Sequence, residues 1–150
     1  EDADGDVALD PRMTCVSMGN PHVILYCGDA SGIWLPAIGQ FLENHPIFPN
    51  RINVHFVQVH SPTEVTMRTW ERGSGITLAC GTGACAAVVT GIRRGLLDSR
   101  VRVATRGGML SIAWDGALSW NDHDNTVSRV TRNVLERFRD RPRGVSPSDE

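Results

Sequence analysis

The chain contains no lysine: all 15 of its basic side chains are arginine. That absence excludes some chemistry. A pyridoxal-phosphate enzyme needs a lysine for its Schiff base, and a Walker phosphate loop needs one against its phosphates. Neither can be built from this sequence, and no cofactor is expected. Long apolar runs are missing too, none approaching the roughly 20 residues that span a bilayer. There is no C-x-x-C pair and no histidine pair at zinc-finger spacing, so no metal site is expected. Charge of one sign is not in excess. The formal net charge is -2, which gives no general case for nucleic acid or an anionic membrane as partner. The acidic start, Glu1 to Asp6, has neither an initiator methionine nor the apolar centre of a secretion signal. The expectation is a cytoplasmic chain with reduced thiols that begins partway through a longer protein.

What is present is an ordinary globular composition, 41% hydrophobic over 150 residues, enough for one domain with a buried core. Residues 1–12 read as a loose polar segment. Thr14 to Met18 and His22 to Tyr26 read as strands joined by the turn-forming Gly19-Asn20-Pro21. Apolar residues at Trp34, Leu35, Ile38, Phe41 and Leu42 have the spacing of an amphipathic helix, with Pro36 in its first turn and Pro46 beyond its end. Ile52 to Val59 and Glu64 to Trp70 are β-branched and partly alternating, as strands are. Thr82 to Arg94 is small and apolar on nearly every side, the pattern of a surrounded helix, and Gly95 suits its C-terminal cap. Val101 to Thr105 and Met109 to Trp114 read as a hairpin about Gly107-Gly108, and Leu118 to Trp120 as a further short strand. The class expected is α+β, a mostly antiparallel sheet wrapped around one central helix. The folded domain is placed at residues 13–120, followed by an atypical tail at 121–150 that is rich in arginine. Six arginines lie between Arg129 and Arg143.

The chain is organised around the stretch from Glu71 to Thr90. Cys80 sits at the start of the expected helix, where backbone N–H groups lack intrahelical partners and carry partial positive charge. A thiolate is stabilised there, and the same N–H groups suit a carboxylate or phosphate. A plain structural helix start more often uses Ser or Asp. Gly81 and Gly83 let backbone approach a ligand closely. Cys15 and Cys27 read as small buried apolar residues.

Three segments in order carry a family resemblance. Glu71-Arg72-Gly73-Ser74-Gly75 leading to Leu78-Ala79-Cys80-Gly81-Thr82-Gly83-Ala84-Cys85 resembles the second cysteine motif of the diaminopimelate epimerases. Val16-Ser17-Met18-Gly19-Asn20-Pro21-His22 resembles their Gly-Asn-Pro-His segment, and Arg51-Ile52-Asn53-Val54-His55-Phe56 their Arg-x-Asn-Val-x-Phe segment. Proline racemases and the phenazine-biosynthesis isomerases share the general fold, but the Glu-Arg-Gly and Asn-Pro-His segments favour the epimerase. The resemblance covers Cys15 to Trp114. It implies interconversion of LL- and meso-diaminopimelate without a cofactor, one cysteine thiolate removing the α-proton and a second thiol returning one on the opposite face. It implies that Cys80 is one of those thiols, with Glu71 and His22 beside the catalytic thiols. It also implies that Asn20, Asn53, Glu71 and Arg72 grip substrate, and that the N–H groups of Gly81 and Thr82 hold its α-carboxylate.

His45, His55, His60 and His123 match nothing functional and read as structural, and Cys85 as helix packing. Ile76 stands where the family usually has an acidic residue. The first-cysteine domain is not in this sequence, so the expected partners are that missing domain and the small-molecule substrate, with a homodimer left open. Two other readings stay open: a relic or half-protein module without catalysis, and a thiol hydrolase using Cys80 with His22.

Overall fold

A computed structural model describes residues 9–114. Seven strands and two helices follow in the order β1 (Thr14–Ser17), β2 (Pro21–Cys27), α1 (Leu35–Glu43), β3 (Asn53–Ser61), β4 (Glu64–Glu71), β5 (Gly75–Ile76), α2 (Gly81–Arg93), β6 (Arg100–Thr105) and β7 (Gly108–Ala113). The strands form one sheet ordered β1-β2-β3-β4-β6-β7, with β5 paired to β4. Pairing is antiparallel except where β2 runs parallel to β3 and β4 parallel to β6. The fold is α+β, and both edge strands, β1 and β7, touch α2, so the sheet curls about that helix.

The sequence explains the layering. Strand β2 is buried along almost its whole length, as its unbroken His-Val-Ile-Leu-Tyr-Cys run requires of a strand covered on both faces. Val23, Leu25 and Cys27 join Leu35, Val54 and Phe56 in the core on the α1 side. On the α2 side Tyr26 donates a hydrogen bond to Ala87 O at 2.8 Å. Alternation in β4 buries Val65, Met67 and Thr69, the period-two signature of a strand face. Helix α2 needs small residues to come this close. A Cβ at Gly91 would lie 2.4 Å from Leu97 and 2.8 Å from the Tyr26 hydroxyl. The helix ends at Arg93 with Arg94 at its cap, and Gly95 takes the left-handed conformation (φ 70°) just beyond, the C-terminal glycine its sequence foretells. Leu9 bridges to Cys27, and Asp10 N–H donates to Tyr26 O, so the end of the segment expected to be loose lies against β2. The Asp10 carboxylate also meets Arg94. The strand expected at Leu118–Trp120 and the tail at 121–150 lie outside the described residues.

Three features differ from the sequence reading. Helix α1 forms where its apolar spacing places it, yet Trp34 and Phe41 are 72% and 64% exposed. The face turned inward is Leu35, Gly39 and Glu43, because the Trp70 ring lies across Gly39, where a Cβ would sit 2.6 Å from Trp70 Cγ. Cys15 is exposed, while Cys27 is buried as expected. Strand β5 is too short to show in the sequence pattern. It is made by the turn through Gly73 and Gly75, both at positive φ (79° and 74°), and places Ile76 opposite Trp70, where it packs on the α1-side core.

Glu43 is the buried charge that ties this region together. Its carboxylate accepts from Trp70 Nε1 at 2.6 Å, from Gly73 N at 2.8 Å and from Arg51 NH1 at 3.0 Å. Burial alone would raise its pKa, but those hydrogen bonds and the Arg51 charge together hold it below the usual carboxylate value. A buried carboxylate with three donors is stabilising only while all three remain. Glu43→Gln, which keeps the shape and removes the charge, is expected to lower stability by roughly 1–3 kcal/mol, read as a lower urea midpoint at neutral pH. A midpoint equal to wild type would contradict this role.

Candidate active site

Parallel pairing of β2 with β3 and antiparallel pairing of β3 with β4 bring the starts of β2 and β3 and the end of β4 to one end of the sheet. His22 pairs with Asn53, and His55 with Thr69. Since side chains alternate along a strand, His22, His55 and Thr69 project from the face that α2 covers. The first turn of α2 then comes down on the His55 ring. Gly83 is what permits this, because a Cβ there would lie 2.2 Å from His55 Cε1.

Cys80 caps that turn. Its backbone is extended (φ -136°, ψ 106°), and its Sγ accepts from Gly83 N at 3.4 Å with Thr82 Oγ1 at 3.6 Å. A side chain in this cap position answers one of the orphan N–H groups of the helix start, and negative charge developing on the sulfur would face the positive end of the dipole. Gly81 and Thr82 are exposed beside it. The approach to Cys80 is pinned by the β6–β7 hairpin, whose Gly107 N–H donates to Leu78 O at 2.8 Å. The other thiols are differently placed. Burial, with Asp29 nearby, pushes the Cys27 thiol up to about 11 despite Arg68, and burial also raises that of Cys85.

Beneath the thiol runs a chain of polar groups. His22 Nε2 lies 2.9 Å from Asn20 Oδ1, His22 Nδ1 lies 2.9 Å from His55 Nε2, and His55 Nδ1 lies 3.0 Å from Thr69 Oγ1. An amide oxygen only accepts, so His22 Nε2 carries the proton. In a neutral ring Nδ1 must then accept, which puts the His55 proton on Nε2 and makes the Thr69 hydroxyl the donor to His55 Nδ1. Both rings are fully buried. Desolvation lowers the pKa of His22 to about 4, partly offset by Glu71, and that of His55 to about 3, aided by His22. Both are neutral at pH 7.

The remaining expected site residues cluster at the same end. Glu71 accepts from the Thr77 hydroxyl at 2.7 Å. Asn53 is buried; it donates to Pro21 O and accepts from Arg72 N, so much of its amide serves to brace the strand ends. The Arg72 guanidinium is exposed and donates to Asn50 O at 2.8 Å. His55, read from the sequence as structural, is buried beneath α2 and joins His22 to Thr69. The hydrolase pairing of Cys80 with His22 is not formed: both nitrogens of His22 are engaged by His55 and Asn20.

The sequence profile described as diaminopimelate epimerase matches residues 14–128. The chain belongs to the diaminopimelate epimerase family. It is 55% identical over 103 residues to the diaminopimelate epimerase of Halothermothrix orenii, covering 69% of this chain and 36% of that one. With the enzyme of Cupriavidus taiwanensis it shares 57% over 104 residues, again 69% of this chain and 36% of the relative. The chain thus spans about a third of the length of these relatives. Among solved structures, a phenazine biosynthesis PhzF-family protein from Bacillus anthracis aligns with a TM-score of 0.46 at 19% identity, over 67% of this chain and 33% of that one.

The neutral histidines set a pH dependence. Below the unfolded value near 6.5, the unfolded chain takes up protons that the buried rings refuse until about pH 4. Stability therefore falls as pH is lowered through that window, by up to about 1.4 kcal/mol per pH unit for each ring. Urea midpoints between about pH 6.5 and 5, above the main carboxylate range, should decline; a level series would contradict neutral rings. Gly83→Ala should cost roughly 1–3 kcal/mol by overpacking, and a variant as stable as wild type would show that α2 does not rest on His55.

Proposed function

We propose that this chain supplies the second-cysteine half of a cofactor-independent amino-acid epimerase site acting on diaminopimelate, with Cys80 as one of two acid/base thiols. The observation that carries the reading is Cys80 itself, the side-chain cap of α2, with its sulfur on the Gly83 N–H and a buried neutral histidine pair below it.

In this reading the α-carboxylate of the substrate lies on the exposed N–H groups of Gly81 and Thr82, where helix-start dipoles meet its charge and the negative charge that grows as the α-proton leaves. The Cys80 sulfur takes or gives that proton on one face. The opposing thiol comes from a first-cysteine domain, the partner the site requires, and inverts the centre by delivering a proton to the other face. Glu71 and His22 stand beside the two thiols. Asn20, Glu71 and Arg72 grip the polar groups of the substrate, and Asn53 holds Arg72 in place through its backbone. The described cysteines are all free thiols, as a reducing, cytoplasmic setting requires, and among the described residues no helix is long and apolar enough to cross a membrane.

The test is α-proton exchange and net inversion of diaminopimelate in D₂O, with this chain alone and with a separately supplied first-cysteine domain. Net inversion is expected only in the assembly, and Cys80→Ser is expected to lower it by about 10²–10⁴-fold, the usual worth of a positioned acid/base. Inversion by this chain alone, or wild-type inversion by the variant, would overturn the reading. An assembly inert at every step would favour a folded module without catalysis.

A further inference from the structure

The buried His22–His55 pair and Cys80 form a compact cluster of metal-ligating side chains. One nitrogen of each ring and the Cys80 sulfur lie within 4.8 Å of one another, all three residues buried. We propose that His22 Nδ1, His55 Nε2 and Cys80 Sγ bind a zinc-class divalent metal, which holds the Cys80 sulfur and so blocks its proton transfer reversibly.

The second layer of contacts favours this. A metal-binding histidine characteristically has its other ring nitrogen fixed by a hydrogen-bond partner, and both rings meet that condition. His22 Nε2 lies on Asn20 Oδ1 and His55 Nδ1 on Thr69 Oγ1. The spacing of the two nitrogens is close to what is needed. Two nitrogens on a tetrahedral zinc at about 2.0–2.1 Å stand roughly 3.3 Å apart, and here they stand 2.9 Å apart with a proton between them. Removing that proton lets the metal take its place. His55 then carries its proton on Nδ1 and donates to the Thr69 hydroxyl, which accepts as readily as it donates. His22 keeps its Nε2 proton on Asn20. The thiol gives up its proton to solvent, so binding releases one proton per metal and leaves both rings neutral. A thiolate with two imidazoles is a donor set that suits Zn²⁺. The sequence spacing gives no hint of it, because the three ligands come from β2, β3 and the start of α2.

Metal binding is independent of the epimerase reading; only the block on catalysis rests on it. Co²⁺ titration of the full chain under anaerobic conditions is the test, since a cobalt–thiolate bond gives a near-ultraviolet charge-transfer band whatever the chain catalyses. The band is expected to saturate at one equivalent, to be displaced by Zn²⁺ and to vanish in Cys80→Ser. Thr69→Val, which keeps shape and every ligand, is expected to weaken binding about 10–100-fold, with circular dichroism reporting its fold. No band at one equivalent, a band that survives Cys80→Ser, or a folded Thr69→Val with wild-type affinity would each overturn the proposal.

Discussion

The fit of the first turn of α2 onto the His55 ring is the constraint on which the rest depends. It requires a glycine at position 83, a flat side chain at position 55, and a polar chain beneath that leaves no buried nitrogen unpaired. An unpartnered buried polar group costs about 1–3 kcal/mol. The Asn20–His22–His55–Thr69 chain avoids that cost by running from the β1–β2 turn through β2 and β3 to β4. It thereby fixes three strand ends relative to one another. Cys80 inherits its position from this arrangement, since the helix it caps can sit in only one place.

The same end of the sheet is held from its other face by Glu43. Its three donors come from the Trp70 side chain, the Gly73 backbone and Arg51, so one carboxylate fixes the turn that follows Glu71 and carries Arg72. Fold and site are therefore coupled. Buried polar groups on both faces of the sheet converge where the candidate acid/base residues stand, and the apolar layers beyond them supply the burial that holds those groups in place.

Much of this was legible in the sequence, for identifiable reasons. Strand β2 is a continuous apolar run, β3 is β-branched and partly alternating, α2 is a run of small residues between a glycine-rich loop and Gly95, and Cys80 stands where a capping residue belongs. Those signals are local. What was not legible depends on pairing between distant segments. His55 looked like an isolated strand histidine, and its role appears only once β3 lies between His22 and Thr69. The parallel pairings of β2 with β3 and β4 with β6 leave no mark on either strand alone. The apolar stripe of α1 gave the helix correctly but not its inward face, which Trp70 selects by lying over Gly39. Ile76 packs on the core through a strand of two residues, too short to show in the sequence pattern.

A neutral, oriented histidine pair underlies the thiol. The most direct measurement is the tautomer and protonation state of His22 and His55, from long-range ¹H–¹⁵N correlation of the uniformly ¹⁵N-labelled chain near pH 6.5. Both rings should be neutral with the proton on Nε2, and both should stay so as pH falls to about 5, since burial holds their pKa values well below 6.5. A ring that is protonated at pH 6, or a His22 whose proton sits on Nδ1, would contradict the account.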